Sequence, residues 1–108
     1  MATRIFLITG TNPDGTAILT NNGNLTCDQS DVIQWNINPG SGVSGICIAK
    51  TGGSDIFSSV PAKLASSNNW QGTISASAGG LSESYSISAS PCNTENAIWH
   101  DPQITVNR

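Results

Sequence analysis

Along much of this chain apolar and polar positions alternate with a period of two, the signature of half-buried strands. The clearest run is Asp31–Ile37, with Ile33, Trp35 and Ile37 on one face and Val32, Gln34 and Asn36 on the other. Gly45–Lys50 alternates as well, setting Ile46 and Ile48 opposite Cys47 and Ala49. Trp70–Ala76 places Trp70, Gly72, Ile74 and Ala76 together. Leu81–Ala89 turns Leu81, Glu83, Tyr85, Ile87 and Ala89 inward and four serines outward. With Ser77-Ala-Gly-Gly80 as a glycine turn between them, these last two runs predict a hairpin. A first hairpin is predicted from Arg4–Thr9 and Thr16–Thr20, joined by Thr11-Asn-Pro-Asp-Gly15. Ile104, Thr105 and Val106 read as a last strand. Thr51 to Asn69 reads as a long connection anchored by Ile56, Phe57, Val60, Pro61 and Leu64, with one helical turn at Ala62–Ala65. The pattern predicts an all-β fold, an antiparallel β-sandwich of about seven or eight strands. Its core is Ile33, Trp35, Ile46, Ile48, Ile74, Tyr85, Ile87, Ile104 and Val106.

Composition narrows the functional classes. The 108 residues make one domain, 1–108, with room for a single core. Charged residues are 10% of the chain, against roughly a quarter in average proteins, and Ser, Thr, Asn and Gly take their place. A formal charge of −3 argues against nucleic acid, which requires a basic footprint. No apolar run reaches the roughly 18 residues of a membrane span. Arg4–Ile8 is too short for a signal-peptide core, so the chain is expected to be cytoplasmic, exported by a signal-less route or already mature. The three cysteines, Cys27, Cys47 and Cys92, cannot all pair within one chain. Reduced, buried thiols are the default expectation, with one disulfide and one free thiol as the extracellular alternative.

Most catalytic chemistries fail on residue types or spacing. Cys27, Cys47, Cys92 and His100 supply the ligand types for zinc, but no Cys-x-x-Cys pair nucleates such a site, and no metal is expected. Blue copper needs two histidines and this chain has one. The acidic residues are too scattered for calcium. His100 and Asp101 are adjacent, so on an extended segment they point to opposite faces and do not build a Ser-His-Asp relay. No phosphate-binding glycine loop is present and no cofactor is implied. Trp35 and Trp70 lie in apolar alternation and are expected in the core rather than on a sugar-binding surface.

Asp101-Pro102 remains. The Asp101 carboxylate can attack its own backbone carbonyl, and the proline nitrogen, part of a tertiary amide, is a comparatively good leaving group once protonated. The structural alternative is that Pro102 merely opens the last strand, where proline is tolerated. Cleavage would need a proton for the leaving nitrogen, for which His100 is adjacent, and a second carboxylate, for which Glu83 and Asp31 are candidates. A carboxylate on an apolar face, as Glu83 is, has its pKa raised by desolvation and can act as an acid near neutrality.

Asp31-Val-Ile-Gln-Trp35, Trp70-Gln-Gly-Thr-Ile74, Tyr85-Ser-Ile87 and above all His100-Asp-Pro-Gln-Ile-Thr-Val106 resemble the bacterial DP-EP family, formerly a domain of unknown function. The resemblance covers roughly Asp31 to Arg108. It implies a β-sandwich that cleaves itself at Asp-Pro and self-assembles, with Asp101 before the cut, Pro102 after it and a water-activating carboxylate for which Glu83 is the candidate. Two readings follow: a self-processing Asp-Pro endopeptidase, or a non-catalytic β-sandwich for structure, assembly or adhesion, with self-association as the expected partnership.

Overall fold

The computed structural model describes residues 2–11, 17–43, 45–65, 67–89 and 102–108. Nine strands are described: β1 (Thr3–Thr11), β2 (Ala17–Leu19), β3 (Leu25–Cys27), β4 (Val32–Ile37), β5 (Ile46–Gly53), β6 (Phe57–Lys63), β7 (Trp70–Ile74), β8 (Ser82–Ala89) and β9 (Gln103–Val106). They form a five-stranded sheet, β2-β1-β4-β7-β6, and a four-stranded sheet, β3-β9-β8-β5. The all-β sandwich expected from alternation is what the chain builds. The order β4-β7-β6 against β9-β8-β5 is the B-E-D and G-F-C order of immunoglobulin-type sandwiches. To this frame the chain adds the β1–β2 hairpin beyond β4 and the short β3 beside β9.

Neither sheet is purely antiparallel, in contrast to the expectation. β1 runs parallel to β4 from Thr3↔Val32 to Ile8↔Ile37, and β3 runs parallel to β9 from Leu25↔Ile104 to Cys27↔Val106. Alternation fixes which face a residue takes but carries no information on the direction of its neighbour.

Three further expectations change. The predicted hairpin of Trp70–Ala76 and Leu81–Ala89 does not form: β7 pairs with β4 and β6, while β8 pairs with β5 and β9. The intervening Ser75–Gly80 stretch crosses between sheets, closed by Ala78 N–H to Ser75 O at 3.2 Å and Leu81 N–H to Ala78 O at 3.0 Å. The connection from Thr51 to Asn69 holds a strand, β6, and Ala62 and Lys63 are in it rather than in a helical turn. Its register against β7 shifts twice, and those irregularities hide the period-two signal. Pro61 and Lys63 lie on this outermost strand, where they discourage pairing with another chain. Cys47 is disulfide-bonded and Cys27 is a free, buried thiol, so the default of three reduced cysteines is replaced by the disulfide alternative. Cys92, His100 and Asp101 lie outside the described residues, as do residues 12–15 of the turn expected over Thr11–Gly15, whose first residue ends β1.

The core contains Ile33, Trp35, Ile46, Ile74, Tyr85, Ile87, Ile104 and Val106 as expected, joined by Phe6, Ile8, Leu19 and Ile56. Ile48 and Trp70 pack against it only partly buried, and Leu81, expected inward, is exposed. Trp35 is the hub. It stacks on Phe6 at 5.8 Å between ring centroids and meets Tyr85 edge-on at 5.6 Å. Its Nε1–H donates to the Tyr85 hydroxyl at 3.2 Å, which donates to Gly23 O at 2.6 Å. Both sheets and the turn before β3 are thus joined by one buried polar thread. Gly23 has φ +84°, and a Cβ there would stand 2.8 Å from the Tyr85 hydroxyl and 2.9 Å from the Pro102 ring. No larger residue fits this approach.

Candidate functional site

The buried acids of the core are Asp31, 1% exposed, and Glu83, 5% exposed. Both were candidates for acid–base work, and the structure gives them different surroundings. Asp31 stands just before β4, where β1 begins its parallel pairing. Its Oδ1 accepts from Ala2 N–H at 2.8 Å; its Oδ2 accepts from Asp28 N–H at 2.9 Å and Arg4 Nε at 3.1 Å. Burial pushes the Asp31 pKa up, but the two N–H donors and the Arg4 guanidinium outweigh it and hold the group below the usual carboxylate range. Arg4 also reaches Asp28 at 3.4 Å, and Asp28 accepts from Asn107 Nδ2 at 3.0 Å. The carboxylate therefore clamps β1 to the turn before β4, and Asp28 extends the network to the end of the chain.

Glu83 lies on the inward face of β8, opposite Ile104 on one side and Gly53 on the other. Gly53 has φ +80°, and a Cβ there would come 2.7 Å from Ser82 O. That close approach lets the chain turn back over β8, so that Ile56 N–H reaches Glu83 Oε1 at 3.3 Å. Among the described residues, no donor meets the second oxygen. Burial is the main cause of a raised Glu83 pKa; Ile56 N–H and Lys50 oppose it, and Asp55 adds to it. The carboxyl faces a cleft of about 560 Å³ between β5 and β6, the adjoining edge strands of the two sheets. Ile48, Phe57, Val60 and Pro61 form apolar walls, and Lys50 pairs with Asp55 at 2.5 Å at the rim.

The sequence candidates are not gathered into one site. Pro102 is fully buried, its carbonyl accepting from Tyr85 N–H at 3.0 Å. It packs on the side of β8 that faces Gly23 and β9, whereas the Glu83 carboxyl is turned toward Ile56 and the β5–β6 cleft. Asp31 is committed to the opposite sheet. Lys50, Asp55 and Phe57 were not anticipated. Lys50 ends the predicted strand Gly45–Lys50, and Asp55 and Phe57 fall in the predicted connection from Thr51 to Asn69, so nothing in the sequence brings the three together. No three His, Cys, Asp or Glu side chains among the described residues gather as metal ligands, and a disulfide-bonded Cys47 offers no thiolate. Burial first, and Asp31 second, push the Cys27 thiol up to about 11, which makes it unreactive at neutral pH. No described helix is long and apolar enough to cross a membrane.

No protein-family model matches the sequence. No curated protein is similar to it. Among solved structures, the chain is similar to part of an endo-fucoidan hydrolase from glycoside hydrolase family 107, with a TM-score of 0.41 and 20% identity over 77% of this chain. It spans only 12% of that enzyme's length.

Proposed function

We propose that this chain is a non-catalytic β-sandwich module for assembly or adhesion, acting through self-association. The observation that carries the reading is the use made of Asp31: all its hydrogen bonds go to backbone N–H groups and one guanidinium, leaving a structural clamp rather than an acid–base pair with Glu83. The disulfide at Cys47 fits an oxidising compartment. The few charges leave little electrostatic repulsion between copies. Ile5, Leu7 and Ile18, respectively 54%, 41% and 42% exposed, share the outer face of the β1–β2 hairpin at an open sheet edge and provide the apolar contact surface. Sedimentation velocity over a range of concentrations should show reversible association that Leu7→Lys abolishes. A monomer at every concentration would defeat the proposal.

The self-processing reading, carried by the resemblance around residues 100–106, has one observation in its favour. The proline side of the Asp101-Pro102 bond is held rigidly by Tyr85 N–H and by packing against Gly23. Intact mass of the folded chain at neutral pH separates the two readings. An unbroken chain after prolonged storage supports the module; release of Pro102–Arg108, blocked by Asp101→Asn, establishes processing.

A further inference from the structure

We infer that the cleft between β5 and β6 is a binding site for a neutral saccharide. Its volume, about 560 Å³, lies within the range of small-molecule sites, and it combines apolar walls with a few convergent polar groups. At its base Glu83 is 95% withdrawn from solvent yet has only one oxygen paired among the described residues. A buried carboxyl oxygen without a donor is unfavourable, and a ligand hydroxyl would relieve it. The rim supplies one donor group, Lys50, and one acceptor, Asp55.

The charges select the ligand class. An ammonium ligand would suit Glu83 but would meet Lys50 in the same cleft. An anionic ligand would suit Lys50 but would meet Asp55 and Glu83. A neutral ring bearing hydroxyls satisfies all three groups, because each hydroxyl both donates and accepts. Its C–H face matches Phe57, Pro61 and Val60. Val60 is 72% exposed, a wide apolar surface for a solvent-facing wall. This inference stands apart from self-association: the cleft is lined by β5, β6 and β8 with their connecting loop, and the apolar strip lies on β1 and β2.

The test is an NMR titration of the full, isotope-labelled chain with glucose, galactose, mannose, xylose and cellobiose, with butylammonium and acetate as charged probes. At least one saccharide should cause saturable shifts centred on Ile48, Lys50, Asp55, Phe57 and Glu83. Asp55→Asn and Phe57→Leu should each weaken that binding by on the order of tenfold. Asp55 is exposed, so its substitution spares the fold, and the amide spectrum verifies folding for both variants. Absence of cleft shifts with every saccharide would overturn the inference. So would shifts with a charged probe alone, or unchanged affinity in both variants.

Discussion

Asp31 and Glu83 are equally hidden from water but sit in opposite electrostatic situations. Asp31 has two backbone N–H donors and a guanidinium, so its charged form is favoured. Glu83 has one N–H at 3.3 Å and a cleft, so burial shifts it toward its neutral form relative to an ordinary carboxyl. Burial therefore says little about what a carboxyl does; the number and charge of its partners decide it. The first residue holds strands together, and the second is the one with capacity left over for a ligand.

The largest effect should come from Asp31. Asp31→Ala strands Ala2 N–H and Asp28 N–H beside a cavity and removes one of the two carboxylate partners of Arg4, a loss of about 3 kcal/mol by the usual cost of buried unpaired groups. Asp31→Asn keeps an acceptor oxygen and should lose less. Urea unfolding measures both. A Asp31→Ala midpoint equal to that of the unaltered chain would remove the clamp from the account.

The pH response divides the same way. Asp31 has a depressed folded pKa, so its contribution is fully present above the unfolded carboxylate pKa and is lost as pH falls through the folded value. Glu83 has a raised folded pKa, so the sign reverses: stability is greatest below the ordinary carboxylate range and falls as pH rises through the raised folded value. Glu83→Gln removes that ionisation while keeping an acceptor for Ile56 N–H. It should be close to neutral in acid and stabilising at neutral pH. A Glu83→Gln variant that is strongly destabilised at pH 7 would mean that the carboxylate is paired and the comparison mistaken.

Glu83 was visible in the sequence as a carboxylate in register with Tyr85 and Ile87, and its burial follows from that period. The β4 strand and the Trp35–Tyr85 core were equally legible, because alternation reports facing directly. What the pattern concealed depends on partners distant in the chain. β1 and β4 are parallel neighbours 29 residues apart at Thr3↔Val32, and no local signal encodes that. The cleft was hidden for a related reason. Two register shifts break the alternation of β6, so Phe57 and Pro61 read as loop anchors rather than as a wall facing Lys50. Asp31 was recognised as a strand opener, but its clamp role needed the positions of Ala2 and Arg4.

The smallest effect, and the finest probe of the comparison, is Asp55→Asn. The Asp55 side chain is 88% exposed and its pair with Lys50 is open to water, so the urea midpoint should not move measurably. The titration of Glu83 should move all the same. Asp55 raises the Glu83 pKa by like-charge repulsion, and it also holds the Lys50 ammonium at the rim. Removing its charge ends the repulsion and frees Lys50 to turn toward Glu83, and both changes favour the carboxylate. Carboxyl carbon shifts followed against pH should therefore place the Glu83 midpoint lower in Asp55→Asn than in the unaltered chain. A midpoint that stays fixed would show that Glu83 does not sense the rim, and that desolvation by the β5–β6 walls sets its ionisation unaided.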